Sequence, residues 1–386
     1  MQNMANLFGG WRIGMWKQGF LLALIFTCLA IVPVQADLIN VADGKFVVNG
    51  DFRLRYESDW DSHRSDGTSR SDRARARIRA RLGLQYEISD FLTVGGRFRA
   101  GAKQSQQSGN ITIKDFDDNP TGDKHVLPDW YFARITYRDI QVVGGRQAFP
   151  YWKQNELFWD DDVSILGATG RFQQNFLDQW KLTWMGGGYK LPDGGLELHG
   201  NLWAGQLAGT TSTEWITFTT AIGGYIFEKK ESTPKYLKDG NGERDYEMWV
   251  ASAQAKFELV GLPLTLGVDG ITNGASYGGF VAFRERKDGY VVSAKVGKKG
   301  EKYGWEAGYS LANIELYAVN ASYSQDDWAR WGSGGQGQVS DFRGHGITGS
   351  VSLPMNISVK STLYLVESIL TEQDGKRFRL NGSIKF

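Results

Sequence analysis

The stretch "SDRARARIRARLGLQYEIS", residues 71–89, places an arginine at every second position from Arg73 to Arg81. On an α-helix a two-residue step turns the chain by about 200°, which would scatter Arg73, Arg75, Arg77, Arg79 and Arg81 around the axis. On a β-strand the same five share one face, and Ala74, Ala76, Ile78, Ala80, Leu82, Leu84, Tyr86 and Ile88 share the other. The stretch reads as a strand that separates water from an apolar medium.

Its flanks repeat the pattern. In "KFVVNGDFRLRYESDW" (45–60), Phe46, Val48, Gly50, Phe52, Leu54 and Tyr56 alternate with Asn49, Asp51, Arg53, Arg55 and Glu57. In "LTVGGRFRA" (92–100), Leu92, Val94, Gly96, Phe98 and Ala100 alternate with Arg97 and Arg99. Three antiparallel strands follow, joined by a polar loop and by a tight turn at Ser89-Asp90. Energetics decide which face is which. An arginine held against lipid at mid-depth costs about 2–4 kcal/mol, and one facing a water-filled lumen costs little. The arginine face lines water and the apolar face touches lipid. A strand of about 16 residues tilted near 45° rises roughly 37 Å, enough to cross a bilayer. The mean hydropathy of −0.37 is too low for a helical membrane protein and suits a barrel with a wet interior.

The alternation continues to "RFRLNGSIKF" (377–386). The expected fold is all-β: a transmembrane antiparallel β-barrel of about 18 strands, segments 279–287 and 316–324 among them. A misread hairpin within 187–213 or 279–300 would leave 16, also an even number as one-chain bacterial barrels require. Short turns near 89–90, 138–140, 260, 287–289 and 354–356 oppose long loops near 59–72, 103–128, 148–162, 229–243 and 325–343. Trp130, Trp180, Trp184, Trp215, Trp249 and Trp305 are expected as rings anchored at the lipid interface; a sugar-stacking track inside the lumen is the other use of such rings.

At the N-terminus, Arg12 and Lys17 precede the apolar run Gly19 to Val32 and the small residues before Asp37. This describes a secretory signal peptide over residues 1–36, with the barrel occupying 37–386; a retained anchor helix is the competing reading. Cys28, the one cysteine, lies in the leader, so the mature chain would carry no thiol, disulfide or cysteine metal site. Without Arg12 and Lys17 the 44 Lys and Arg become 42, against 43 Asp and Glu. Near neutrality argues against a nucleic-acid partner. The four histidines, His63, His125, His199 and His345, form no metal-binding pair. No enzyme, metal or cofactor is expected.

The chain resembles the putative porins of Gram-negative outer membranes. The resemblance rests on "GDFRLRYE" leading into "RARARIRARLGLQYEISDFLTVGGRFRAG", on "VVGGRQAFPYWKQNELFWDDD" (142–162), and on the terminal Phe386. It is best over residues 45–172 and the last strand. It implies a bacterial outer-membrane porin for small hydrophilic solutes, set in lipid, with Phe386 read by the outer-membrane assembly machinery, and a homotrimer. In such porins the third long loop narrows the barrel with acids facing a basic wall. Carried over, this assigns Glu156, Asp160, Asp161 and Asp162 to a constriction loop, although that loop lacks the proline-acid-aromatic-glycine signature of general diffusion porins.

Arg53, Arg55, Arg73, Arg75, Arg77, Arg79, Arg81, Arg97 and Arg99 are the expected pore-lining residues. The same faces hold only Asp51, Glu57 and Glu87, so anion preference is the expected selectivity. Three other readings stand beside it. The arginines could serve only as structural partners of loop acids, or, separately, "WDDD" could be a solvated outer loop that binds divalent cations at the cell surface. Alternatively, loops 103–128 and 325–343 could make the barrel a surface receptor or adhesin.

Overall fold

The computed structural model describes residues 39–41, 45–103, 105–122, 124–177, 179–229, 237, 241–278, 285–328, 330 and 340–386. The expected leader, residues 1–36, lies outside the described residues. The strands are β1 (Ile39–Val41), β2 (Phe46–His63), β3 (Arg73–Ser89), β4 (Leu92–Gly101), β5 (Ile111–Asp115) and β6 (His125–Tyr137). They continue with β7 (Ile140–Ala148), β8 (Ser164–Phe176), β9 (Trp180–Pro192), β10 (Leu198–Ser212), β11 (Ile216–Glu228) and β12 (Tyr246–Leu259). The last six are β13 (Leu262–Asn273), β14 (Asp288–Val296), β15 (Trp305–Ile314), β16 (Phe342–Leu353), β17 (Ile357–Ser368) and β18 (Asp374–Lys385).

Sixteen of these close one antiparallel barrel, with β18 paired back onto β2 and only β1 and β5 left out of the wall. β1 lies along the start of β2, and β5 extends the sheet beside Arg75 to Ile78 of β3, beyond the reach of β4. The count therefore settles at 16 rather than 18. Of the expected strand 279–287, residues 279–284 lie outside the described residues and 285–287 are not in a strand. Residues 316–324 instead fold inward in two turns, with Ala318, Val319, Ala321 and Tyr323 fully buried. Their apolar side chains serve a core inside the lumen and not the lipid face.

The pleat sorts side chains as the arginine stretch demands. Leu82, Leu84, Tyr86 and Ile88 are 38–49% exposed on the outside, while the side chains of Arg73 to Arg81 on the opposite face keep only 8–14%. Trp184, Trp203, Trp215, Trp249 and Trp305 join this outer apolar surface, as interfacial rings should. Several short turns use left-handed backbone: Val260-Gly261 (φ 51 and 76) and Met355-Asn356 (φ 60 and 53) have the two positive φ angles that suit a right-twisted hairpin. Closure ends at Phe386. Its amide donates to Gly50 O at 3.1 Å and its carbonyl accepts from Gly50 N at 2.8 Å. Its ring covers Gly50 so closely that a Cβ there would sit 2.6 Å from the ring edge.

Candidate functional site

The strand registers assemble one basic wall. Asp51, Arg53, Arg55, Glu57 and Asp59 of β2 lie directly across from Arg81, Arg79, Arg77, Arg75 and Arg73 of β3. On one side Arg81 pairs with Arg99 of β4, and on the other Glu57 and Asp59 face Arg379 and Arg377 of β18. Two arginine pairs, 53/79 and 55/77, thus stand side by side across the strands, an arrangement that costs stability unless anions or carboxylates sit against it. All nine expected arginines are on this wall.

The carboxylates come from three sources. From the wall itself, Glu57 pairs with Arg75 and, at 2.6 Å, with Arg379; Asp59 bridges Arg73 at 2.8 Å and Arg377 at 2.5 Å; Asp51 bridges Arg79 at 2.9 Å and Arg81 at 2.5 Å. A bulge in β6 between the residues facing Arg97 and Phe98 turns both Asp129 and Trp130 inward, where Asp129 pairs with Arg97 at 2.5 Å and Trp130 lies under the same guanidinium at 3.3 Å. Trp130 is therefore a lumen residue and not the lipid anchor expected of it. The last source is two inward-folded loops. Asp162 of loop 149–163 reaches Arg79 and Arg81, each at 3.2 Å, and Asp327 of segment 315–328 reaches Arg379 and, at 4.0 Å, Arg55.

The third long loop does enter the barrel, but only one of its four expected acids meets the wall. Asp160 accepts the Asp162 amide at 2.7 Å within its own loop, Glu156 accepts the Asp161 amide at 3.3 Å, and Asp161 pairs with Lys153 at 2.5 Å. The electrostatics of these loop groups follow the geometry. Burial raises the Asp162 carboxyl, but Arg79, Arg53 and Arg81 outweigh it and hold the group below the usual carboxylate range. At Asp327 burial is again outweighed, by Arg379 and Arg55, leaving the group at about 2. Burial, reinforced by the neighbouring Glu156 and Asp162, pushes Asp160 well up. Burial also raises Glu156, only partly countered by Lys153.

An aromatic core pins both loops to the opposite wall. Trp159 is fully buried, stacked on Phe149 (centroids 4.4 Å apart) and on Tyr323 of the other loop (5.7 Å). Phe158, Tyr225, Phe227 and Tyr246 belong to the same cluster. Polar pins add to it: Gln154 donates to Asp269 at 2.6 Å, Asp160 N to Tyr323 O at 2.8 Å, and the amides of Gln106 and Gln107 to Ser322 O and Ala321 O, both at 2.8 Å. Segments 105–110 and 315–328 are thus turned into the lumen, which takes them away from the surface-receptor reading; 331–339 lie outside the described residues. Gly274-Ala275-Ser276-Tyr277-Gly278 spells Gly-x-Ser-x-Gly, but it is loop after β13, and no helix follows it among the described residues, so it lacks the strand–turn–helix setting of a nucleophile elbow.

The wall of β18, β2, β3 and β4 therefore carries eleven arginines (the nine expected, plus Arg377 and Arg379) against six carboxylates, an excess of five. Arg377 and Arg379 were open to sequence reasoning, since "RFRLNGSIKF" already puts them on the polar face. Asp129 needed the bulge, and nothing in "SQDDW" marks Asp327.

Residues 65–193 match the model of a family described as "Putative porin". No curated protein matches the chain. Among solved structures the barrel is similar to Pseudomonas putida OprB at high pH, with TM-score 0.59 and 12% identity over 89% of this chain and 95% of that one. It is also similar to Vibrio cholerae OmpT lacking loop L8 (0.51, 10%, over 88% and 99%) and to Salmonella typhi OmpF in complex with daunomycin (0.51, 11%, over 90% and 99%). At these identities the likeness shows the fold. Fold and family match together define the class: a porin of the bacterial outer membrane, a lipid-embedded channel for solutes.

Proposed function

We propose that the lumen passes small hydrophilic solutes by diffusion, without catalysis, and favours anions. The observation that carries this reading is the excess of five arginines over carboxylates on the one wall that faces both inward loops. Side chains of Arg75, Arg79, Arg81 and Arg97 keep 10–14% exposure there, and Asp162 and Asp327 keep 13% and 21%, so both signs border the same gap. Neighbouring guanidiniums about 6.8 Å apart along β3 repel by roughly 2.4 kcal/mol at an effective dielectric of 20. A passing anion relieves that repulsion and a cation adds to it. In planar bilayers under a KCl gradient, the purified protein should show open-channel steps with a reversal potential on the chloride side. Cation preference, or no conductance from folded protein, would refute the reading.

The same proposal includes a leader cleaved after residue 36, and delivery of the barrel by the outer-membrane assembly machinery through Phe386. Phe386→Ala should lower the amount of folded barrel in the outer membrane several-fold, seen as loss of the heat-modifiable gel band. Gly50→Val, which forces the same ring off its seat, should weaken that band without removing the terminal aromatic. A homotrimer also belongs to this reading. It is supported by an outward, cross-strand row of Gly170, Gly186 and Gly205 that leaves the outer surface of β8–β10 flat.

A further inference from the structure

Beyond the constriction, on the side of the short turns, the inner faces of β6–β11 enclose a separate chamber of about 670 Å³ under loop 149–163. That volume lies in the range of small-molecule sites. Its lining is graded along the barrel axis. Trp130 and Phe132 of β6, with Trp152 from the loop, form an apolar roof; Arg134, Arg171 and Lys181 stand nearer the end of β6, the end of β8 and the start of β9 and form a cationic floor. Among the described residues no carboxylate lines the chamber, and the rest of its polar lining is amide and hydroxyl. This contrasts with the basic wall, where six carboxylates are engaged by arginine. The Arg134 guanidinium lies over the face of Phe132, 5.8 Å from the ring centroid.

We propose that this chamber is a binding site for small anions carrying a flat apolar ring, with aromatic carboxylates as the fitting class. Phe132 and Arg134 are one two-residue step apart on the same face, about 7 Å along the strand. That spacing matches a ring stacked on the roof whose carboxylate reaches a guanidinium on the floor. The guanidinium fork suits a carboxylate, and the aromatic roof excludes water from around the ring. Trp130 also lies under Arg97 of the basic wall, so the chamber adjoins the constriction and would take up an anion after it passes. The inference rests on the reading of the lumen as an anion channel, and it adds the chemistry of the anion.

The test is block of KCl current in planar bilayers by added benzoate, with acetate and benzyl alcohol as charge-only and ring-only probes. Benzoate should reduce the current saturably, and neither control should match it at equal concentration. The double variant R134Q/R171Q should weaken the benzoate block by about tenfold. If that variant fails to show the heat-modifiable band of a folded barrel, K181Q at the exposed edge of the floor takes its place, with a smaller loss expected. Equal block by acetate and benzoate, or block unchanged in the folded variant, would overturn the proposal. The reversal potential of the unmodified channel, recorded in the same bilayers, separates the two readings. Chloride preference without benzoate block removes the chamber site alone. Cation preference with a variant-sensitive benzoate block removes the selectivity of the wall and leaves the site.

Discussion

Trp159→Ala is expected to raise the single-channel conductance several-fold and to open residues 149–163 to protease, while leaving the heat-modifiable barrel band in place. Trp159 is the centre of the apolar anchor. It is fully buried between Phe149 and Tyr323, and its ring N–H donates to Val163 O at 3.2 Å. Truncating a buried tryptophan to alanine costs about 3–5 kcal/mol, and a cavity shared by two loops cannot close by the shift of one. The barrel does not depend on this contact, because its sixteen strands are joined by their own backbone ladders. What the substitution weakens is the grip of loop 149–163 on the wall and on residues 315–328. The hydrogen bonds from Gln154 to Asp269 and from Gln206 to the Trp152 carbonyl remain, each worth about 1 kcal/mol net, with somewhat more for the charged acceptor. They do not balance the loss. Trp159→Phe, which keeps a ring in the stack, should restore most of the original conductance. An unchanged conductance in the alanine variant would place the narrowest point elsewhere than at this loop.

The strand face of the arginine stretch was legible because period two is a local property: five guanidiniums on one side of β3 need only the sequence to be seen. The wall they belong to was legible in part. β2 and β4 carry the same alternation, so Arg53 to Arg99 sort correctly. Arg377 and Arg379 join only when β18 closes onto β2, a contact between residues more than 300 positions apart. Loops resisted reading for a different reason. "LYAVNAS" (316–322) alternates well enough to pass for a strand, yet the segment turns inward, because apolar side chains within a wide barrel can be buried against other loops as well as against lipid. The inner ends of β11 and β12 held a sign of this. In "YIF" (225–227) and "MWV" (248–250), apolar residues occupy both faces, with Tyr225, Phe227, Met248 and Val250 buried while Ile226 and Trp249 face outward. A strand apolar on both faces near its loop end marks where something packs inside.

The charge on the wall makes a two-sided prediction. Replacing Arg75, Arg77 and Arg79 together by alanine takes the wall from eleven arginines against six carboxylates to eight against six, lowering the excess from five to two. The permeability ratio of chloride to potassium should fall several-fold, and the reversal potential should move toward the potassium side. The triple variant leaves its carboxylates partnered: Glu57 keeps Arg379 at 2.6 Å, and Asp51 and Asp162 keep Arg81 at 2.5 and 3.2 Å. No buried acid is stranded, and the cost of an uncompensated buried charge, about 3–5 kcal/mol, is avoided. Asp162→Asn is the opposite arm. It removes the loop's one carboxylate on the wall, raises the excess from five to six, and frees the inner guanidiniums of Arg79 and Arg81 toward the gap. Its reversal potential should move further to the chloride side. If both variants fold and conduct with the selectivity of the parent, the arginines are only mortar between wall and loops, and the ion preference of the channel is set elsewhere in the lumen.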